Sequence, residues 1–299
     1  MARRKAAESS KAKRSRSREP FGVQFPYHVF AGTSPVDHLR TMLEPLLPEI
    51  RANIINSTDS HGHTLLHVAG IRGRADTARF LVESGADITR QTDDDPGFTA
   101  LILSVLKKHP DVVDCLLQLG ADPNQRNNWG FGPLHEASRL GLLGIVKALL
   151  SHGADIELEG SDDSTPLCWA VLENHIAVAR LLLECGANPD HAGISFTFPG
   201  LSGFRMTPLH SASCSEKTEM ARLLLSHGAD PNHPKAVGPG GHTCLHEAAR
   251  TGKLALAEDL LAHGIDASAR ASDGTAATDW ARMMHHPRLL KLLEKHCGG

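Results

Sequence analysis

Large rings are in short supply in this chain: nine Phe, three Trp and one Tyr make up only 4% of its 299 residues. Its interior must therefore be filled mainly by Leu, Ala, Val and Ile, within a hydrophobic share of 41%. Net charge is also small, at −3, but unevenly spread. Residues 1–20 hold eight Lys/Arg against two Glu, a balance of +6 that leaves −9 for residues 21–299. An acidic body cannot neutralise phosphates, so nucleic-acid binding by the folded part is excluded as a leading function. None of the six cysteines forms a C-x-x-C pair. Their wide spacing speaks for buried thiols in a reducing compartment, against zinc or a disulfide framework. No run approaches the ~20 apolar residues of a membrane span, and no apolar leader stands at the N-terminus. The expectation is a soluble protein of the cytoplasm and/or nucleus, without membrane contact.

A repeated phrase is present in abundance. Taking the T of T-P-L-H as a marker, its slots are Thr64, Thr99, Gly132, Thr165, Thr207, Thr243 and a degraded Ala276. Successive intervals are 35, 33, 33, 42, 36 and 33 residues. The glycine of G-A-D follows the slot by 21 residues in all six complete copies, at Gly85, Gly120, Gly153, Gly186, Gly228 and Gly264. A rigid unit thus alternates with an elastic connector, as in a solenoid. Thr as N-cap and Pro at the first helical position open one short helix. Apolar residues such as Ile145, Val146, Leu149 and Leu150 place a second helix before the glycine, which closes it in the left-handed conformation. A lone pair of this size cannot bury its apolar face; stacked copies can.

The phrases "TPLHSAS", "GPLHEAS", "TCLHEAA", "LLSHGADPN" and "LLECGANPD" resemble the ankyrin repeat over roughly residues 59–297. That resemblance implies an all-α solenoid of about seven helix-turn-helix repeats with β-hairpin fingers, the last repeat acting as a cap. The repeats are expected at 60–92, 95–127, 128–160, 161–193, 203–235, 239–271 and 272–297. Departures from the pattern are Ile102, Cys168 and Asp279 in the histidine slot, which make those repeats suspect in local stability. Before the repeats, residues 1–20 read as a disordered basic tail. Residues 21–58 read as an N-terminal extension, with Pro45 and Pro48 dividing 35–55 into two short helices that cap the first repeat.

Nineteen histidines invite a metal hypothesis, but seven fall at repeat positions: His67, His135, His210, His246, His152, His227 and His263. The resemblance gives the T-P-L-H imidazole a structural role, bridging backbone groups of neighbouring repeats. His61 with His63 and His285 with His286 remain as loose pairs with incomplete ligand sets. "GPGGHT" at Gly238 lacks the lysine of a phosphate loop, and "GISFT" at Gly193 fails the nucleophile-elbow pattern. No enzyme, cofactor or metal is expected.

The few rings are not where a helical core needs them. Phe98, Trp129, Phe131, Phe196, Phe198 and Phe204 lie in or beside connectors, and Trp169 follows the histidine slot, a position the resemblance turns toward a concave groove. With Glu136, Arg139 and the acidic Asp93, Asp94 and Asp95, they compose a predicted partner surface on repeats two to five. Asp162 and Asp163 are read as a second acidic turn. The sign of this surface suits a basic partner segment, of which the chain's own tail is one candidate. The reading is a monomeric, non-enzymatic adaptor. Two alternatives are a substrate-recognition subunit of a ubiquitin ligase and an ankyrin-type regulator of nuclear transcription factors. Ser15 and Ser17, flanked by arginines, are candidate phosphorylation sites within an import-like basic run. Asn124 and Asn232, in "GADPN", resemble positions hydroxylated in ankyrin proteins.

Overall fold

The computed structural model describes residues 36–194, 205–215, 217–233 and 239–297. Phe196, Phe198, Phe204, Ser15 and Ser17 lie outside the described residues. Among the described residues, two helices precede the repeats: α1 (Val36–Leu43) and α2 (Pro48–Asn56). Then come seven helix pairs: α3 (Leu65–Arg72) with α4 (Ala75–Glu83), α5 (Ala100–Leu106) with α6 (Pro110–Gln118), and α7 (Pro133–Arg139) with α8 (Leu143–Ser151). They continue as α9 (Pro166–Leu172) with α10 (Ile176–Glu184), α11 (Pro208–Cys214) with α12 (Thr218–Ser226), α13 (Cys244–Thr251) with α14 (Leu254–Ala262), and α15 (Ala277–Met283) with α16 (Pro287–Cys297).

First helices pack in one row from α3 to α15, and second helices in another from α4 to α16. Helices of seven to eleven residues are marginal alone, so each depends on its neighbours for burial. The core runs continuously along the array from Leu39 and Leu43 through Leu66, Leu134, Leu182 and Leu224 to Leu293. Strand structure is minimal: β1 (Gly193–Ile194) pairs antiparallel with β2 (Arg205–Met206), flanking the longest connector. Two further fingers show single antiparallel bridges, Gln91 with Thr99 and Arg270 with Ala276.

Local capping explains why the T-P-L-H phrase recurs. The hydroxyls of Thr64, Thr99 and Thr207 accept the amides of His67, Ile102 and His210, three residues on. His67 Nδ1 accepts the Thr64 amide at 3.0 Å while its Nε2 donates to the Arg90 carbonyl at 3.0 Å. His135 repeats this between the Gly132 amide and the Ser164 carbonyl, and His246 between the Thr243 amide and the Thr275 carbonyl. Each imidazole ties its own helix start to the following finger. Burial holds His67 and His135 at about 4, so both rings stay neutral.

The departures are compensated. Ile102 is fully buried in the core. The Cys168 thiol takes a bond from the Thr165 hydroxyl and points its own proton at the His191 carbonyl, copying the bridge. Asp279 accepts the Ala276 amide at 2.9 Å. The missing mid-repeat glycines leave the backbone path unchanged: Lys108, Asn174 and His285 adopt left-handed φ angles of 61°, 60° and 57° in their place.

A second set of histidines carries the stacking. His109 and His175 donate through Nε2 to the carbonyls of Ile71 and Arg139, at the C-terminal end of the preceding repeat's first helix. Where that slot is Lys217, its ammonium reaches the Val171 and Leu172 carbonyls instead, at 3.2 and 2.6 Å. These bonds engage carbonyls in the last turn of a helix, where the intrahelical ladder runs out of donors.

Candidate functional site

The fingers are held in line by a ladder of side chains. Asn124 donates to the Gly153 carbonyl and accepts the Asp155 amide; Asn232 does the same with Gly264 and Asp266. Glu157 and Asp190 occupy the corresponding slots and accept the amides of Asn188 and Asp230. The Asp of each G-A-D phrase accepts an amide two residues on, as Asp87 does from Thr89 and Asp122 from Asn124. Asn56, at the end of α2, bonds Gly85 and Asp87 as Asn124 bonds the next repeat. It stands eight residues before Thr64, as Asn124 stands eight before Gly132.

On this frame the sequence-derived residues separate. Trp129 is 49% exposed at a finger tip, and Phe98 and Phe131 are half-buried. Phe131 meets the Trp169 ring edge-on, with centroids 5.5 Å apart and planes at 89°. Its other neighbour is His135, also at 5.5 Å. Glu136 is buried and receives two bonds from the Arg139 guanidinium, at 2.9 and 2.7 Å. Phe131, Glu136, Arg139 and Trp169 thus occupy one stretch of surface at the junction of repeats three and four. Asp93, Asp94 and Asp95 are exposed on the preceding finger, with Asp93 paired to Arg90 at 2.9 Å.

One expectation is corrected. Asp162 is not a solvated acid of the finger tip: it is buried, and its Oδ1 accepts the amide and hydroxyl of Ser164. Asp163 is tied to Arg205 of β2, on the next finger. A D-x-S turn reads as surface in one dimension; the fifth repeat covers it in three.

The same aromatic arrangement occurs twice. His242 precedes its T slot as Phe131 does, and it meets Trp280 edge-on at 5.6 Å and 77°. The carboxylate and guanidinium recur as well, Arg250 donating to Glu247 at 2.9 Å. Sequence reading missed this copy because His242 replaces the phenyl ring. In both copies the paired rings lie 38 residues apart, a spacing that could have revealed it.

Between repeats four and five a small cleft is lined by Asp162, Ser164, Trp169, Leu172, Thr207 and Ser211. Among the described residues, no three His, Cys, Asp or Glu side chains cluster as metal ligands, and no helix is long and apolar enough to cross a membrane.

Comparison with known proteins sets this geometry in a family. A stretch of 140 residues is 36% identical to "Neurogenic locus notch homolog protein 1" of Danio rerio, covering 46% of this chain and 6% of that protein. A putative ankyrin repeat protein of fowlpox virus is 32% identical over 133 residues, which is 44% of this chain and 30% of the viral one. The chain therefore spans a small part of the curated relatives it matches. Among solved structures, the ankyrin repeat domain of Bcl-3, described as a unique member of the IkappaB protein family, superposes with a TM-score of 0.66 at 28% identity. It covers 79% of this chain and 100% of that one. The human ASB11 ankyrin repeat domain gives 0.62 at 26% identity, covering 78% and 98%. The family profile described as "Ankyrin repeats (3 copies)" matches residues 33–127, 101–193, 159–235 and 191–271. The chain belongs to the ankyrin repeat family.

Proposed function

We propose that this chain is a non-enzymatic adaptor that holds a partner protein across the first helices and fingers of repeats two to five. One observation carries the reading: Trp129 stands half exposed on a finger beside the Phe131–Trp169 pair, in a chain otherwise poor in rings. Burying such a ring against a partner contributes roughly 1.5–3 kcal/mol, and aromatic anchors dominate interface energetics. Phe98 and the exposed Asp93, Asp94 and Asp95 extend the surface and give it a sign suited to a basic segment. Residues 36–58 cover the open end of the first repeat, with Asn56 supplying the finger bond that a preceding repeat supplies elsewhere. The chain acts as a monomer in the cytoplasm or nucleus.

The test compares affinity capture from cells by the wild type, Trp129→Ala and Trp169→Ala, with thermal melting as the folding control. Loss of the same captured protein from both folded variants is expected. Undiminished capture by both sinks the placement.

A second reading, a regulator of nuclear transcription factors, is supported by the likeness to Bcl-3 and by the basic run at residues 11–18. Deleting residues 1–20 should then abolish nuclear accumulation. Asn124 and Asn232 are proposed hydroxylation positions, and Ser15 and Ser17 proposed phosphorylation positions. Mass spectrometry of protein from cells tests all four.

A further inference from the structure

The Asp162 carboxylate is incompletely satisfied. Its Oδ1 is engaged by Ser164, but its Oδ2 has no hydrogen-bond partner among the described residues, although the residue is only 7% exposed. A buried carboxylate oxygen without a donor is costly, and a native site that keeps one calls for a cation or donor. Asp162 lines the cleft between repeats four and five, whose walls also include Trp169, Ser211 and Thr207.

The charge around the cleft has one dominant sign. Between Lys147 and Arg180 the chain carries six carboxylates and no lysine or arginine. Among the described residues, Glu157 and Glu159 meet only His191 within ion-pair distance, at 4.0 and 3.5 Å. Arg205 is occupied by Asp163, Arg139 by Glu136, and the Lys217 ammonium by the Val171 and Leu172 carbonyls. A hydrogen-bond donor entering this cleft meets one unengaged carboxylate oxygen, an indole ring and an excess of carboxylates over cations in the surrounding chain.

We infer that this cleft receives an arginine side chain from a separate partner protein, its guanidinium pairing with Asp162 Oδ2 and lying against the Trp169 ring. This rests on the adaptor reading and names the chemistry that reading leaves open. Arginine fits better than lysine because its planar, weakly hydrated fork can stack on an indole and donate in plane to a carboxylate. Lysine offers a compact, strongly hydrated charge with no plane to stack.

The experiment uses the full chain and three probes: the N-acetyl amides of arginine, lysine and norleucine. The readout is the indole N–H resonance of Trp169 in two-dimensional NMR, assigned with Trp169→Phe, with the Trp280 indole as internal control. The arginine probe should shift the Trp169 resonance saturably and leave Trp280 in place. The lysine probe should bind at least fivefold more weakly, and norleucine should produce no saturable shift. Asp162→Asn keeps the acceptor for Ser164 and should weaken the arginine response at least tenfold. If that variant fails to fold, Ser211→Arg places a guanidinium in the cleft from within and should abolish the response. Equal responses to arginine and norleucine, or an unchanged midpoint in folded Asp162→Asn, overturn the inference. The Trp129→Ala and Trp169→Ala capture result still decides the adaptor reading separately. If deleting residues 1–20 strengthens arginine binding more than tenfold, the cleft belongs to the chain's own tail and the assignment to a separate partner falls.

Discussion

The imidazole of His175 lies so close to Gly141 that a Cβ built on that glycine would sit 2.5 Å from His175 Nδ1. Gly141 also has a left-handed φ of 69°, and His175 bonds the Arg139 carbonyl two residues before it. The same pairing joins Gly73 to His109 and Gly252 to His286, with closest approaches of 2.7 and 2.6 Å. Where the glycine slot holds Lys108, Asn174 or Glu216, the next repeat carries Leu142, Lys217 or Lys253 instead of histidine. Gly141→Ala should therefore destabilise by about 2–4 kcal/mol, combining left-handed strain with the collision. Adding His175→Ala to it should recover part of that loss, and urea unfolding of the two variants measures the coupling.

Left-handed residues with side chains make the opposite case. Lys108 and Asn174 hold φ angles near 60° without the freedom of glycine. Lys108→Gly should raise stability by about 0.5–1 kcal/mol, since Leu142 and not a histidine follows in the next repeat. A higher urea midpoint with an unchanged slope is the expected result.

Acid should loosen the array before it protonates most carboxylates. His67 and His135 have folded values near 4 against 6.5 when unfolded, because burial disfavours their charged form, and His246 is lowered for the same reason. Between pH 6.5 and 4 the unfolded chain binds the extra protons, so stability falls as pH falls through that window. The loss is on the order of 3 kcal/mol for each of the first two rings. Melting temperature measured from pH 7 to 4 should drop steeply. In His67→Gln/His135→Gln the curve should start lower and run flatter.

The cysteines should divide by reactivity. Cys185 and Cys297 are exposed, whereas burial raises the Cys168 and Cys214 thiols and pushes Cys244 up to about 12. A thiol reagent at pH 7.5 should label Cys185 and Cys297 within minutes, and Cys168, Cys214 and Cys244 only on unfolding.

Loss of one ladder rung should cost about 1–2 kcal/mol, and Asn56→Ala should cost as much as Asn124→Ala, because each amide makes two bonds to the next repeat. Denaturation of both variants checks this. A negligible effect at Asn56 would mean that α2 adds little to the first repeat.

Periodicity alone determined the architecture. Threonine at an N-cap, glycine at a helix end and aspartate in the turn after it act within a few residues of themselves, so their spacing is readable without coordinates. Asn56 was less visible, because its resemblance to Asn124 lies in its distance to the next T slot and not in a surrounding phrase. Only the tertiary structure decided which residues meet across repeats. It brought Phe131 to Trp169 and His242 to Trp280, and set His175 on Gly141. It buried Asp162 under the fifth repeat, while Asp273, in the same register of the last repeat, stays exposed. Such contacts join positions more than thirty residues apart, and whether a side chain is covered depends on what stacks next to it. Local chemistry builds the brick; the neighbouring brick decides which of its faces is left for a partner.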